Sequence, residues 1–134
     1  MKVNLSYKGD HEFSTQNELG NQVNIDMRAS DVKEHQSPTE LLLSALGACA
    51  AVEIVSMVKK RRKTFKDLKA EISGVRRDEN PRGFTDINLH YIIYSPDLTQ
   101  EEAERIVDLA TTKYCSVAGS LSAKQTHSFE IVRD

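Results

Sequence analysis

Residues 37–62 read SPTELLLSALGACAAVEIVSMVKKRR, and they are the most informative stretch of the sequence. Ser37 is a good N-cap, Pro38 suits the first helical position, and Glu40 completes an S-x-x-E capping box. Residues 41–58 are apolar nearly all round, and the basic run that follows lies where a helix dipole favours cations. The pattern predicts one long central helix.

A helix that is apolar on every side has to be covered on every side. One small sheet covers a single side of the helix. We therefore expect a second helix and a second copy of the chain to cover the other sides, which favours a homodimer. Eighteen mostly apolar residues also approach the length of a membrane span. However, Ser44, Glu53 and Ser56 make a weak span and no other segment resembles one, so we prefer a buried core helix to a membrane helix.

The segments on either side of the central helix read mostly as strands. Before it, alternating apolar residues and turns at Gly9–Asp10 and Gly20–Asn21 predict a three-stranded meander. After it come two long strands within 67–79 and 84–95, joined by the hairpin loop ENPRG.

A second helix and a last strand complete the predicted order. Thr99 and Glu102 form a capping box that opens a helix running to about Lys113. Cys115 then begins a predicted short helix, CSVAGSLSA, and HSFEIVR closes the chain as a strand. Because the connections are mostly hairpins, we expect an α+β fold in a single domain, 1–134, rather than a doubly wound parallel sheet.

Composition excludes several classes of function. A chain of 134 residues buries a sizeable core without disulfides or metals, and a net charge of -2 gives no general attraction to nucleic acid or anionic membranes. The four histidines are scattered without metal-ligand spacing, and no glycine-rich phosphate loop is present, so we expect no metal and no cofactor. The N-terminus lacks the apolar core of a signal peptide, which favours a cytoplasmic protein.

The two cysteines carry the candidate chemistry. Cys49 lies about three turns into the central helix, and a buried thiol is inert unless a cation or hydrogen-bond donor stabilises its thiolate. On its own, Cys49 is more simply a small core residue. Cys115 lies at a junction close to a new helix N-terminus, a position that favours a thiolate. The two thiols meet if their helices pack together; otherwise they are unrelated core cysteines.

Together, residues 37–62 and the segment TTKYCSVAGSLSA at 111–123 resemble the OsmC/Ohr family, and most closely its shorter OsmC-like subgroup. The order of the two segments, the strands between them and the chain length also agree with the family. The resemblance implies antiparallel sheets around a long central buried helix, in an intertwined homodimer with two active sites near the subunit interface.

The resemblance also implies a thiol peroxidase of the oxidative stress response that acts on organic hydroperoxides. By this analogy Cys49 attacks the peroxide as a thiolate and becomes a sulfenic acid, and Cys115 condenses with it to a disulfide. An external dithiol then restores both thiols.

Family members also stabilise the reactive thiolate with an arginine from the N-terminal strands and a glutamate near the start of the helix. Glu40 matches the glutamate, yet nine residues at about 100° each place it opposite Cys49 on an ideal helix, and its capping role is an alternative. Glu53 lies one turn beyond Cys49, where a bare carboxylate would raise the thiol pKa. Arg28 is the predicted arginine, although the family's characteristic arginine context is not recognisable.

Three interpretations therefore stand. The first is a two-cysteine peroxidase, which predicts that both thiols converge beside one arginine. The second is a non-enzymatic OsmC-like dimer that binds a small hydrophobic molecule or senses redox state, with no cation to lower the pKa of Cys49. The third is a pair of unrelated core cysteines, which predicts thiols that lie far apart.

Overall fold

A computed structural model of the chain describes all residues from 1 to 134 and contains two helices and two three-stranded sheets. The α+β prediction is confirmed. The chain divides into two compact units, Met1–Leu42 and Leu43–Asp134, while the expected single domain stays a prediction. In chain order, the regular structure is β1 (Val3–Gly9), β2 (Glu12–Asn17), β3 (Gln22–Asp26), α1 (Pro38–Lys60), β4 (Asp67–Arg76), β5 (Phe84–Tyr94), α2 (Gln100–Thr112), a 3-10 turn (Ala118–Ser120) and β6 (Lys124–Val132).

The first unit is built on the predicted meander of β1, β2 and β3, which are antiparallel neighbours in that order. The first turn uses positive φ at Gly9 (110°) and Asp10 (49°), residue types that tolerate this backbone conformation. Several apolar side chains of this sheet are largely exposed in the single chain. They are Val3, Leu5, Tyr7 and Val23.

The central helix begins where the sequence predicts. The Ser37 hydroxyl accepts a hydrogen bond from the Glu40 amide at 3.3 Å, and the Glu40 carboxylate accepts one from the Ser37 amide at 3.0 Å. This reciprocal capping box satisfies donors that the first helical turn leaves without partners.

The second unit packs one face of α1 and one face of α2 with the sheet β4–β5–β6. β5 is antiparallel to β4 and parallel to β6, and α2 lies in the crossover between the two parallel strands. Its core joins alternate residues of β5 to an i, i+4 row on α1, as period-two strands and 3.6-residue helical turns require. The fully buried members of these two rows are Ile87, Leu89, Tyr91, Ile93, Leu46, Ala50, Ile54 and Val58.

One position sets how closely α1 approaches the sheet. A Cβ added to Gly47 would lie 2.6 Å from the Cδ1 atom of Ile72 on β4, which is closer than side chains tolerate. Because Gly47 has no side chain, the backbone of α1 can approach β4 closely at this position, two residues before Cys49.

The opposite side of α1 is apolar and uncovered in the single chain, where Ala45 and Ala48 are exposed and Val52 is 68% exposed. By length and composition, Pro38–Lys60 is the one helix that could cross a membrane, and 28% of its most apolar window is buried. The buried i, i+4 row against β5 is typical of a core helix that lies on a sheet.

The predicted short helix beginning at Cys115 is wrong. Only Ala118–Ser120 forms a helical turn, and it is of the 3-10 type. Serine and glycine are poor helix formers, so the serines and Gly119 in this segment do not sustain a longer helix.

Candidate functional site

The structure brings Cys49 of α1 next to Cys115, which follows the end of α2. The two thiols are close enough that each shifts the pKa of the other, and both cysteines are free rather than bridged. The interpretation as two unrelated, distant core cysteines is therefore wrong.

Cys115 is held by the segment that ends α2. The amides of Lys113 and Tyr114 both donate to the Leu109 carbonyl, at 2.9 and 3.2 Å, which closes the helix. The Cys115 sulfur then accepts a hydrogen bond from the Ala118 amide at 3.3 Å. This bond to the amide three residues later resembles the one that a serine makes at an N-cap, and it ties the first residue of the 3-10 turn to the Cys115 side chain.

The thiol proton of Cys115 has two acceptors within reach. One is the Leu46 carbonyl of α1, 3.9 Å from the sulfur, and the other is the sulfur of Cys49. Cys115 is only 5% exposed, whereas Cys49 is partly exposed, so an incoming molecule reaches Cys49 more readily within this chain.

The turn after Cys115 also surrounds the Cys49 sulfur with donors. The backbone amide of Val117 makes the largest contribution that lowers the pKa of Cys49, and the Cys115 thiol and the Ser116 amide add to it. Burial of Cys49 acts in the opposite direction but does not outweigh the donors. Because hydrogen bonds to the charged form favour it, Cys49 is the thiol that is poised to ionise.

Cys115 has the opposite tendency. Burial raises its pKa most strongly, and the neighbouring Cys49 raises it further, while the Ala118 amide offsets only part of the effect. The prediction that the junction favours a Cys115 thiolate is therefore wrong, because burial and the neighbouring Cys49 outweigh the Ala118 and Val117 amides, which lower the pKa of Cys115. The pair consists of one activated thiol and one thiol that stays protonated.

Tyr91 of β5 makes a hydrogen bond to the part of α1 that precedes Cys49. It is fully buried, and its hydroxyl donates a 2.8 Å hydrogen bond to the Gly47 carbonyl of α1. Burial raises the pKa of Tyr91, and the two cysteines raise it further, so the phenol stays protonated. The sequence indicated only an inward-facing core residue; the available signal was that a buried tyrosine needs a partner for its hydroxyl.

Gln125 of β6 is a second residue that sequence reasoning did not find. Its side-chain amide donates to the Ala118 carbonyl at 3.2 Å and so ties the cysteine turn to the sheet. The contact joins residues that are distant from Cys49 in sequence, and no local pattern indicates it.

Glu53 lies one helical turn after Cys49 and is partly buried. Its negative charge raises the pKa of Cys49, as the sequence analysis predicts for a bare carboxylate at this position. Glu53 makes no ion pair in the chain.

Glu40 is engaged in the first unit. Its carboxylate accepts hydrogen bonds from the Ser37 amide at 3.0 Å and the Ser37 hydroxyl at 2.8 Å, and Lys33 lies 3.3 Å away. These contacts, the Ser37 amide first, lower the pKa of Glu40 to about 2. The capping role of Glu40 is confirmed, and its role in thiolate stabilisation stays a prediction.

Arg28, also in the first unit, holds two carboxylates. Its guanidinium lies 2.9 Å from the buried Asp26 and 3.2 Å from Glu12. Asp26 accepts further hydrogen bonds from the amides of Arg28 and Glu34, which explains how a carboxylate is buried there at all. The arginine side chain is therefore fixed in place by Asp26 and Glu12, and its action on Cys49 stays a prediction.

Comparisons with known proteins agree with this architecture. The model of the family described as OsmC-like protein matches residues 31–130. Protein YhfA of Escherichia coli K12 is 39% identical to the chain over 134 residues, covering 98% of both sequences.

Solved structures share the fold at lower identity. An OsmC-like protein from Mycoplasma pneumoniae has a TM-score of 0.85 at 22% identity, covering 98% of this chain and 96% of that one. The organic hydroperoxide resistance protein OhrB of Bacillus subtilis has a TM-score of 0.63 at 18% identity, covering 98% of both chains.

Proposed function

The chain belongs to the OsmC-like protein family, and on that premise we propose that it is a thiol-dependent peroxidase that reduces organic hydroperoxides. Membership of this family suggests a redox or peroxidase-related role. In the proposed cycle Cys49 and Cys115 alternate between a dithiol and a disulfide, and an external dithiol in the cytoplasm is the reductant.

The chemistry assigns one step to each sulfur. The Cys49 thiolate attacks the terminal oxygen of the hydroperoxide, an S–O bond forms as the O–O bond breaks, and an alcohol leaves. After solvent protonates the sulfenate to a sulfenic acid, Cys115 attacks the oxidised sulfur, the S–O bond breaks, the oxygen leaves as water with the Cys115 proton, and the disulfide forms. Without a second thiol nearby, the sulfenic acid is exposed to irreversible oxidation.

The observation that carries this proposal is the unequal pair of thiols. A peroxidatic cysteine has to be a thiolate at neutral pH, and the pKa of Cys49 is lowered by amides of the turn. A resolving cysteine has to lie within reach, and Cys115 is near enough to Cys49 that each thiol shifts the pKa of the other. The name of one relative of the same fold, the organic hydroperoxide resistance protein OhrB, supports the choice of substrate class.

The proposal includes roles for Arg28 and Glu40. An arginine near the Cys49 sulfur would stabilise its thiolate further, and Glu40 would orient that arginine. A well-placed cation is worth about two pKa units for a thiol, or roughly 2.7 kcal/mol. The contacts with Asp26 and Glu12 already hold the Arg28 guanidinium in one conformation, which suits a positioned charge.

We also propose that the active protein is a homodimer. The uncovered side of α1, with Val52 68% exposed, and the exposed apolar residues of the first sheet are surfaces that a second copy would bury. Analytical ultracentrifugation tests this: a dimer is expected, and Val52→Asp should weaken it because a charge would enter an apolar interface.

A redox sensor is the second candidate function. Within Leu43–Asp134, the groups that lower the pKa of Cys49 are backbone amides and the Cys115 thiol rather than a cation. A thiol pair with this milder activation suits slow oxidation to a disulfide that reports redox state without turnover.

Stopped-flow oxidation of the reduced protein distinguishes the peroxidase from the redox sensor. Cumene hydroperoxide and hydrogen peroxide are mixed with the native protein, Cys49→Ser and Cys115→Ser, and the loss of thiols is followed. The peroxidase predicts fast disulfide formation that Cys49→Ser abolishes, with Cys115→Ser oxidising without a disulfide. Oxidation no faster than that of an ordinary free thiol would refute the peroxidase and leave the sensor.

A further inference from the structure

The carboxylate of Glu53 is placed where it works against Cys49 ionisation. It is partly buried, lies one turn from Cys49 on the same face of α1, and its charge raises the thiol pKa. The other partly buried carboxylate of the second unit, Glu102, lies within ion-pair distance of Arg61 and Lys63. An unpaired carboxylate beside a nucleophile is unfavourable for the thiolate, so a role in a later step would account for its position.

Peroxide reduction has such a step. When the thiolate breaks the O–O bond, the organic fragment leaves as an alkoxide, which is a far stronger base than the thiolate and a poor leaving group until it is protonated. A group that moves a proton at that moment contributes typically about 10²–10⁴-fold to a rate.

We infer that Glu53 is a catalytic residue that carries a proton from the attacked oxygen of the hydroperoxide to the departing oxygen. The inference rests on the proposed peroxidase function and deepens it. It assigns Glu53 to the chemical step, and not to the stabilisation of the resting thiolate.

The step balances without another reactant. The Cys49 sulfur forms a bond to the terminal oxygen of ROOH and is oxidised by two electrons, while the O–O bond breaks and the peroxide is reduced by two. The Glu53 carboxylate accepts the proton of the attacked oxygen and delivers it to the RO⁻ fragment. The products are the Cys49 sulfenate and the alcohol ROH, and the carboxylate returns to its ionised form.

The other groups that face Cys49 are committed elsewhere. The Tyr91 hydroxyl, from β5, is fully buried and donates to the Gly47 carbonyl. The proton of Cys115, from the turn, goes to the sulfenate oxygen when that thiol condenses with Cys49, and a second proton from solvent completes the water that leaves. The Ser116 and Val117 amides donate to the sulfur but do not exchange their protons with a substrate during turnover. Among the groups of Leu43–Asp134 that act on Cys49, Glu53 is the titratable one that is left.

Two reactions of the same thiolate test the inference. Cumene hydroperoxide requires the proton transfer, whereas alkylation by iodoacetamide releases iodide and requires none. Rate constants for both are measured against pH for the native protein, Glu53→Gln, Glu53→Asp and Glu104→Gln, an exposed control on α2. In Glu53→Gln the Cys49 pKa should fall and alkylation at neutral pH should be at least as fast as in the native protein. The limiting rate constant for peroxide should fall about 10²-fold, with partial recovery in Glu53→Asp.

The outcomes separate this inference from the function on which it rests. A Glu53→Gln variant that reduces peroxide as fast as the native protein overturns the proton-carrier role while leaving the peroxidase intact. A native protein that is alkylated normally but reacts with peroxide no faster than a free thiol overturns the peroxidase, and the inference with it.

Discussion

The Cys115 thiol lowers the pKa of Cys49, and the Cys115 sulfur accepts a hydrogen bond from the Ala118 amide, directly after the Ser116 and Val117 amides that lower the same pKa. One residue thus acts in two ways on the other, through its proton and through the turn that it holds. Both actions favour the Cys49 thiolate and keep Cys115 protonated. The division between an attacking and a resolving sulfur follows from local hydrogen bonding.

Substitutions of Cys115 test how its side chain affects the pKa of Cys49. Cys115→Ser keeps a donor for Cys49 and an acceptor for the Ala118 amide, whereas Cys115→Ala removes both. The pKa of Cys49 should therefore rise in Cys115→Ala by about one unit and change less in Cys115→Ser. Titration of the ultraviolet thiolate absorbance measures it, since Cys49 is then the one cysteine left. Equal pKa values in the two variants would contradict the role of the Cys115 hydrogen bonds.

Removal of the Tyr91 hydroxyl should destabilise the second unit. Tyr91→Phe leaves the Gly47 carbonyl without its side-chain partner, and a buried hydrogen bond contributes about 0.5–1.5 kcal/mol. Urea unfolding of reduced protein measures the loss. Tyr94→Phe is the matched control, because Tyr94 lies on the same strand but faces away from the buried row and should change the free energy of unfolding by less than about 0.5 kcal/mol.

The sequence predicted those parts of the fold that local patterns encode. The Ser37 capping box, the apolar run of α1 and the strand alternation each depend on neighbours within a few residues, and the structure contains all of them. The convergence of Cys49 with Cys115 followed from the family resemblance, since spacing along the chain says nothing about a contact between distant segments.

The errors have the same physical origin. How far the Cys115 segment is buried against α1 is a tertiary property, and this burial raises the pKa of Cys115 where its place at the junction predicted a thiolate. The bonds made by Tyr91 and Gln125 are likewise tertiary. The roles of Arg28 and Glu40 remain predictions from the family pattern, because their side chains bond to Asp26, Glu12, Ser37 and Lys33 in the first unit.

Acid should weaken the protein through Glu40. Its pKa is about 2 in the folded chain against an ordinary 4.5, so the folded state binds the proton less tightly than the unfolded state does. A lowered pKa gives stability that is present above the unfolded value and is lost as pH falls through the folded one. Unfolding free energy should thus fall between about pH 4.5 and pH 2. Glu40→Gln should show a shallower decline than Glu104→Gln, measured by urea unfolding at several pH values; equal slopes would argue against this contribution.

Loss of the Gln125 side-chain bond should weaken the activation of Cys49 without touching either thiol. Gln125→Leu removes the donor to the Ala118 carbonyl, so the turn has more freedom and its amides spend less time directed at the Cys49 sulfur. The pKa of Cys49 should rise by some tenths of a unit to about one unit, and iodoacetamide alkylation at neutral pH should slow accordingly.

Thr126→Val is the matched control for Gln125→Leu. It removes a 2.9 Å hydrogen bond to Asn88 from the next residue of β6, which points to the other side of the sheet. Its alkylation profile should match that of the native protein even where its stability falls. A rise in the Cys49 pKa of the same size in both variants would mean that general loosening of β6, and not the bond to Ala118, sets the reactivity of the thiol.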